Sequence, residues 1–165
     1  MVLLRGKIPC DILFIGEAPG PGENVIGQPF VGPAGHLLDS IIEQSIYKHN
    51  QNWRVSFTNL VGCIPLGDDN KKFTEPPKES ILACQPRLIE IVKICNPQMI
   101  VRTGKLSTKH VAGWEMFGIE PVISNQMVDI IHPAAILRAD VSQRGLLTQQ
   151  AIITLTEAVN ELVPF

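Results

Sequence analysis

The chain has 165 residues, 45% of them apolar and 18% charged, with a formal net charge of −2. That length suits one domain and the apolar share suits a well-buried core, which excludes a disordered or fibrous chain. No apolar run is long enough to span a bilayer, and Met1-Val-Leu-Leu-Arg5 is too short for a signal-peptide core, so a cytoplasmic protein without a membrane partner is expected. The near-neutral charge gives no global sign of a nucleic-acid partner. Lys78 to Arg144 holds eight Lys/Arg against six Asp/Glu, an excess that a solvated face explains as well as a binding groove does.

Taken in chain order, Asp11-Ile-Leu-Phe-Ile15 reads as a buried first strand. A turn-rich run from Gly16 to Gly35 follows, holding six of the thirteen glycines and four of the thirteen prolines. A long loop at the carboxyl end of a first parallel strand is where open α/β sheets place a ligand. Glu17 stands at its mouth. The plain alternative is a surface loop that is merely long. Ala34 to Tyr47 has apolar residues at 37, 38, 41, 42 and 46, a helical period. Arg54 to Asn59 is a second strand, ending on a planar amide with both donors and an acceptor. The loop 62–77 has a polar tip, Gly67 to Lys72, expected to be mobile. Lys78 to Asn96 reads as a helix that Pro86 should kink or split near Cys84.

Gln98 to Arg102 is a third strand, and Thr103-Gly104-Lys105 opens a short helix to about His110. Val111 to Asn125 is expected to be loops with one short strand. Met127 to Ile131 is a fourth strand that delivers His132-Pro133 to its carboxyl end, and a terminal helix runs from about Ser142 to Leu162. The alternation predicts a single domain over residues 1–165: α/β, with a doubly wound, four-stranded parallel sheet and helices on both faces. Cysteines stand at 10, 63, 84 and 95 with no Cys-x-x-Cys. Cys10 and Cys95 read as small core residues. Cys63 and Cys84, on a loop and on the helix after it, stay open.

Glu17, Asn59 and His132 each fall just past or at the end of a different strand. A lone histidine at a strand end is more often structural than catalytic, but three polar groups on one sheet edge point to a site. Gly16-Glu-Ala-Pro-Gly20, Gly27-Gln-Pro-Phe-Val-Gly-Pro-Ala-Gly35, Thr58-Asn59 and His132-Pro-Ala-Ala-Ile-Leu-Arg138 together resemble the motifs of the uracil-DNA glycosylase superfamily, and are most similar to its family-4 branch. The resemblance covers nearly the whole chain in order and spacing. Cys84-Gln-Pro-Arg-Leu-Ile-Glu-Ile and Pro97-Gln-Met-Ile-Val extend it to the family's central helix and third strand.

The resemblance implies a DNA glycosylase that hydrolyses the N-glycosidic bond of a flipped-out uracil and so initiates base excision repair. Phe30 matches the aromatic on which the base stacks, Asn59 the amide that reads its edge, and Ala18 and Gly20 belong to the loop around it. His132 matches the histidine that stabilises charge on O2, and Glu17 the acid that orients or deprotonates water. Glu23 is a secondary acid in the same loop. Ile136, Leu137 and Arg138 match the loop that enters the duplex, and Lys105 is a further candidate for DNA contact.

Two departures qualify these expectations. Family-4 enzymes hold an iron–sulfur cluster on four cysteines, two of them in a Cys-x-x-Cys upstream of the first strand. Only Cys63 and Cys84 match ligand positions here, so no cofactor is the expectation, with a cluster possible only if Cys10 or Cys95 were recruited. The loop after Cys63 also lacks the basic, histidine-bearing insertion of the branch that crosslinks to DNA, so release of a free base is expected. The resemblance further implies a monomer acting on single- or double-stranded DNA in a bacterial, archaeal or virus-infected cell. Two other classes stay open: a non-catalytic member that binds uracil-containing DNA or a partner protein, and a small-molecule enzyme using the glycine-rich loop for a nucleotide. No Gly-x-Gly-x-x-Gly or Walker pattern supports the latter.

Overall fold

Every residue of Ile12–Gly16 is buried, as a strand covered on both faces requires. This strand, β2, is the centre of the sheet. The computed structural model describes residues 1–70 and 74–162. Around β2 stand β1 (Arg5–Gly6), β3 (Val55–Asn59), β4 (Met99–Thr103) and β5 (Gln126–Ile130), in the order β1-β3-β2-β4-β5. All neighbours are parallel except β1 and β3.

Successive side chains of β2 point to opposite faces, and the core divides accordingly. Ile12 and Phe14 pack with α2 (Pro33–Ile42) and α6 (Val141–Asn160), through Leu38, Ile41, Leu155 and Val159. Leu13 and Ile15 pack on the other side with α3 (Lys78–Cys95), through Leu88, Ile91 and Val92. The doubly wound α/β fold expected from the alternation is therefore the observed one.

Where elements differ from the sequence reading, a local cause can be named. The sheet has a fifth strand: β1 is two residues long, too short to show a period, and pairs antiparallel at the outer edge of β3. The glycine-rich run contains a helix, α1 (Pro21–Ile26), with proline at its start and Gly27 in the left-handed conformation at its end. Residues 111–125 hold no strand; a 3₁₀ turn, Trp114–Phe117, buries Trp114 and Phe117 three residues apart, which matches three residues per turn. α3 is not split at Pro86. Leu82, whose carbonyl loses its partner there, is 51% exposed and can be hydrated instead. Gly67 accepts a hydrogen bond from Asn70, making the loop tip a turn, while Lys71 and Lys72 lie outside the described residues. No helix among the described residues is long and apolar enough to cross a membrane.

Candidate active site

Because β2 to β5 run parallel, their carboxyl ends share one edge. The chain leaves β2 for β3 on one side and returns as β4 on the other, so the strand order reverses between β2 and β4. Open α/β sheets form ligand crevices at that point. A cleft of about 970 Å³ lies there, lined by Glu17, Ala18, Gly20, Lys105, His132 and Arg138 among others. Its size falls in the range of small-molecule sites. α4 (Lys105–His110) and α5 (Pro133–Arg138) start at the ends of β4 and β5 and supply its walls.

Gly104, between β4 and α4, brings the acid and the imidazole together. A Cβ at this position would lie 2.7 Å from Glu17 Oε1 and 3.0 Å from His132 Cβ, and φ is +95°. Only glycine fits there, and its bare α-carbon is the floor on which both side chains rest.

Glu17 Oε1 accepts a hydrogen bond from the Leu106 N–H at 3.3 Å. Burial pushes the Glu17 carboxyl above the usual carboxylate range, with Glu75 pushing the same way and the Leu106 N–H and Arg138 opposing. His132 caps α5: its Nδ1 accepts from the Ala134 N–H at 3.1 Å. Burial, reinforced by the positive charge of Arg138, lowers its pKa to about 4. The ring is therefore neutral at physiological pH, and the proton sits on Nε2.

Phe30 and Asn59 lie deeper, 4% and 3% exposed, and neither lines the cleft wall. They meet across Gly16: a Cβ on Gly16 would stand 2.5 Å from both Asn59 Oδ1 and Phe30 Cζ. Phe30 is held at φ +57°, an uncommon backbone state for a bulky residue. Its ring stacks 6.1 Å from that of His132. The aromatic, the amide, the imidazole and the acid thus form one contiguous group at the sheet edge.

The remaining candidates divide. Glu23 Oε2 accepts from the Gly20 N–H at 3.1 Å, which engages that carboxylate at the start of α1. Ile136 is 1% exposed and packs in the core, a correction to its expected place at the duplex; Leu137, 37% exposed, and the exposed Arg138 are what α5 presents outward. The cleft adds residues that sequence reasoning missed. Lys109 is one helical turn beyond Lys105, and that i, i+4 spacing was the available signal. Thr108 and Glu75 left no signal.

The four thiols do not converge. Cys10 and Cys95 are buried together at the amino end of the sheet, where the Cys10 N–H donates to the Cys95 carbonyl at 2.9 Å. The neighbouring Cys95 thiol and burial push the Cys10 thiol up. Cys63 follows β3 at the opposite, carboxyl end and is exposed, with Cys84 half-buried on α3. No group of three or more metal-ligating side chains occurs among the described residues. These residues do not fit a four-thiolate cluster, since Cys10 and Cys95 lie at the wrong end of the sheet to join Cys63 and Cys84.

The family model described as the uracil DNA glycosylase superfamily matches residues 5–156. The chain belongs to this superfamily. It is 38% identical over 106 residues to the type-4 uracil-DNA glycosylase of Saccharolobus solfataricus, a match covering 64% of this chain and 46% of that protein. With the type-4 uracil-DNA glycosylase of Pyrobaculum aerophilum it shares 32% identity over 150 residues, covering 81% and 71%. With that of Thermotoga maritima it shares 29% over 146 residues, covering 84% and 72%. The match to the Saccharolobus enzyme spans about half the length of that relative. The superfamily and the similarity to type-4 enzymes are those that the glycine-rich, Thr-Asn and His-Pro motifs pointed to.

Proposed function

We propose that the protein is a monofunctional uracil-DNA glycosylase, hydrolysing the N-glycosidic bond of a flipped-out uracil in DNA and leaving an abasic site. The observation that carries this reading is the apposition of Glu17 and a neutral His132 over Gly104. Departure of uracil leaves negative charge on the base, and a neutral N–H donor at O2 stabilises that charge as it develops. His132 Nε2–H is such a donor, because Nδ1 is already committed to Ala134. Glu17, ionised, orients a water toward C1′ or takes its proton. Asn59 reads the uracil edge, accepting from N3–H and donating to O4, a pairing cytosine cannot match. Phe30 offers its face to the base, while Ala18 and Gly20 shape the loop around it.

DNA is the macromolecular partner in this reading. Arg138, Lys105 and Lys109 border the cleft and are placed to meet phosphates, and Leu137 to fill space near the extruded base. Glu23 serves mainly to hold α1, and so shapes the loop instead of activating water. No step needs a cofactor. The protein acts as a cytoplasmic monomer.

The deciding experiment incubates excess folded protein with an oligonucleotide carrying one uracil, then cleaves with alkali. Strand scission at the uracil supports the proposal, with single-stranded or mismatched uracil cut at least as fast as paired uracil because less unpairing is needed. No product above background would favour a uracil- or DNA-binding role on the same fold.

A further inference from the structure

We propose that Arg87 is a positioning residue for base selection: reaching from α3, its guanidinium fixes the carboxyl end of β3 and with it the amide of Asn59. The inference rests on the reading of Asn59 as the residue that contacts the base edge. Arg87 Nη2 donates to the main-chain carbonyls of Asn59, at 2.5 Å, and Leu60, at 3.1 Å. Nη1 donates to Thr58 Oγ1 at 3.4 Å, and that hydroxyl donates onward to the Leu3 carbonyl at 2.6 Å. One side chain therefore holds three consecutive residues at the end of the strand.

The need for it follows from the sheet. On its inner side β3 is paired along its length with β2, up to Gly16 opposite Asn59. On its outer side β1 pairs only with Ser56 and Phe57. Beyond Phe57 the outer edge has no ladder, and Asn59 and Leu60 are nearly fully buried, 3% and 1% exposed. Carbonyls buried without donors are costly, and a guanidinium is the side chain whose planar fork can serve several acceptors at once. Its Nε, by contrast, is buried with no partner among the described residues. The side chain is thus held by what its two terminal nitrogens do.

Burial lowers the pKa of the Arg87 guanidinium, and Cys84 and Cys63 beside it oppose that shift in part. At the place where the resemblance offers half of a cluster site, α3 is joined to the end of β3 by a guanidinium. The consequence is felt at the base. Asn59 Oδ1 lies so near Gly16 that a Cβ there would stand 2.5 Å from it, and in this proposal a shift of the Asn59 main chain re-aims the amide. Discrimination by an amide depends on that plane, whereas phosphate contacts do not.

The test uses the full chain with Arg87→Gln, Arg87→Lys and Asn59→Ala. Thermal melting, single-turnover excision from a single-uracil oligonucleotide, inhibition by free uracil and binding of uracil-free duplex are measured for each. Expected for Arg87→Gln is a loss of at least tenfold in both excision rate and free-uracil inhibition, with duplex binding unchanged within twofold; Arg87→Lys restores part of both. Folded Arg87→Gln with undiminished free-uracil inhibition overturns the proposal, as does a parallel fall in duplex binding, which would mark general loosening. Should Arg87→Gln not fold, Arg87→Lys decides alone: free-uracil inhibition equal to the parent overturns it. If Asn59→Ala leaves free-uracil inhibition intact, the base-reading role of Asn59 fails. If Asn59→Ala loses that inhibition while Arg87→Gln keeps it, only the role of Arg87 fails.

Discussion

The Nδ1 atom of His132 accepts a hydrogen bond from the main-chain N–H of Ala134, 3.1 Å away. One residue thereby does two things: it starts α5 and it is locked in the tautomer whose Nε2 carries the proton. With burial and Arg138 lowering its pKa from 6.5 to about 4, the ring stays neutral through the range in which DNA is stable and the enzyme would work.

The pH dependence of excision should therefore show no limb near 6.5. The acid limb is expected from Glu17, above the ordinary carboxylate range because the group is buried. Single-turnover rates across pH 4–9 test this. Glu17→Gln should abolish the limb and lower the plateau by about 10²- to 10⁴-fold, the usual contribution of a positioned base. A limb near 6.5 that His132→Ala removes would show the imidazole titrating where burial forbids it.

Stability should move in the opposite direction to activity at Glu17. Its folded pKa lies above its unfolded one, so the folded state holds this proton more tightly. The associated stability is present at low pH and lost as pH rises through the folded pKa. Glu17→Gln should thus melt at a higher temperature than the parent at pH 7, the difference shrinking as the pH is lowered below the ordinary carboxyl value of 4.5. His132 has the other sign: its share is full above 6.5 and is lost as pH falls toward 4. Melting curves of the parent and the variant at pH 4, 5.5 and 7 decide the point.

Base choice and rate should separate between two residues. Asn59→Asp replaces a donor with an acceptor at the edge that distinguishes uracil from cytosine, and should shift preference toward cytosine. His132→Ala acts at O2, which both bases have, and should lower the rate about a hundredfold, or roughly 3 kcal/mol, without changing preference. Single-turnover excision of uracil and of cytosine by both variants makes the comparison. An intact uracil rate in Asn59→Asp would mean the amide does not read the base.

Gly104→Ala should damage catalysis without removing a polar group. Its methyl would stand 2.7 Å from Glu17 Oε1 and 3.0 Å from His132 Cβ, forcing both apart. A displacement of about 1 Å in reacting groups costs on the order of a hundredfold in rate. The measurement is single-turnover excision beside a near-ultraviolet circular dichroism spectrum. A native-like spectrum with the parental rate would show that the acid and the imidazole need not be so close.

Lys105 and Lys109 border the cleft on α4. If they meet phosphates, the double change Lys105→Gln and Lys109→Gln should weaken DNA binding for all sequences alike. The slope of log affinity against log salt should fall by about 1.5 to 2, close to one per contact. A salt dependence identical to the parent's would remove this helix from the DNA interface.

The parallel alternation was legible because buried parallel strands are nearly continuous apolar runs, and Ile12 to Ile15 and Met99 to Val101 are such runs. The convergence of the candidate residues was legible for a related reason: Glu17, Asn59 and His132 come at strand ends, and parallel strands bring their ends to one edge. What stayed hidden depends on three dimensions. β1 has only Arg5 and Gly6 and owes its existence to the free edge of β3. Ile136 belongs to a motif associated with DNA, yet the turn of α5 points it to the core and leaves Leu137 and Arg138 outside. Arg87 looks in sequence like any charged helix residue, and only the folded chain reveals the carbonyls it serves.

The order of the strands has a consequence for how the site comes into being. β2, made early in the chain, must be flanked by β3 and by β4, pairing Ile12 with Val55 on one side and with Met99 on the other. The contacts that seat the acid reach further still: the Glu17 carboxylate meets the N–H of Leu106, 89 positions on, and the Ile15 carbonyl meets the Ser107 hydroxyl, 92 positions on. Such distant closures are slow because much chain entropy is lost before any contact rewards it. His132 arrives later again, at the end of the last strand. A nascent or truncated chain ending before β5 therefore carries the acid of Glu17 and lacks the imidazole of His132. The acid and the imidazole of the candidate site therefore meet only in chains that have added β5.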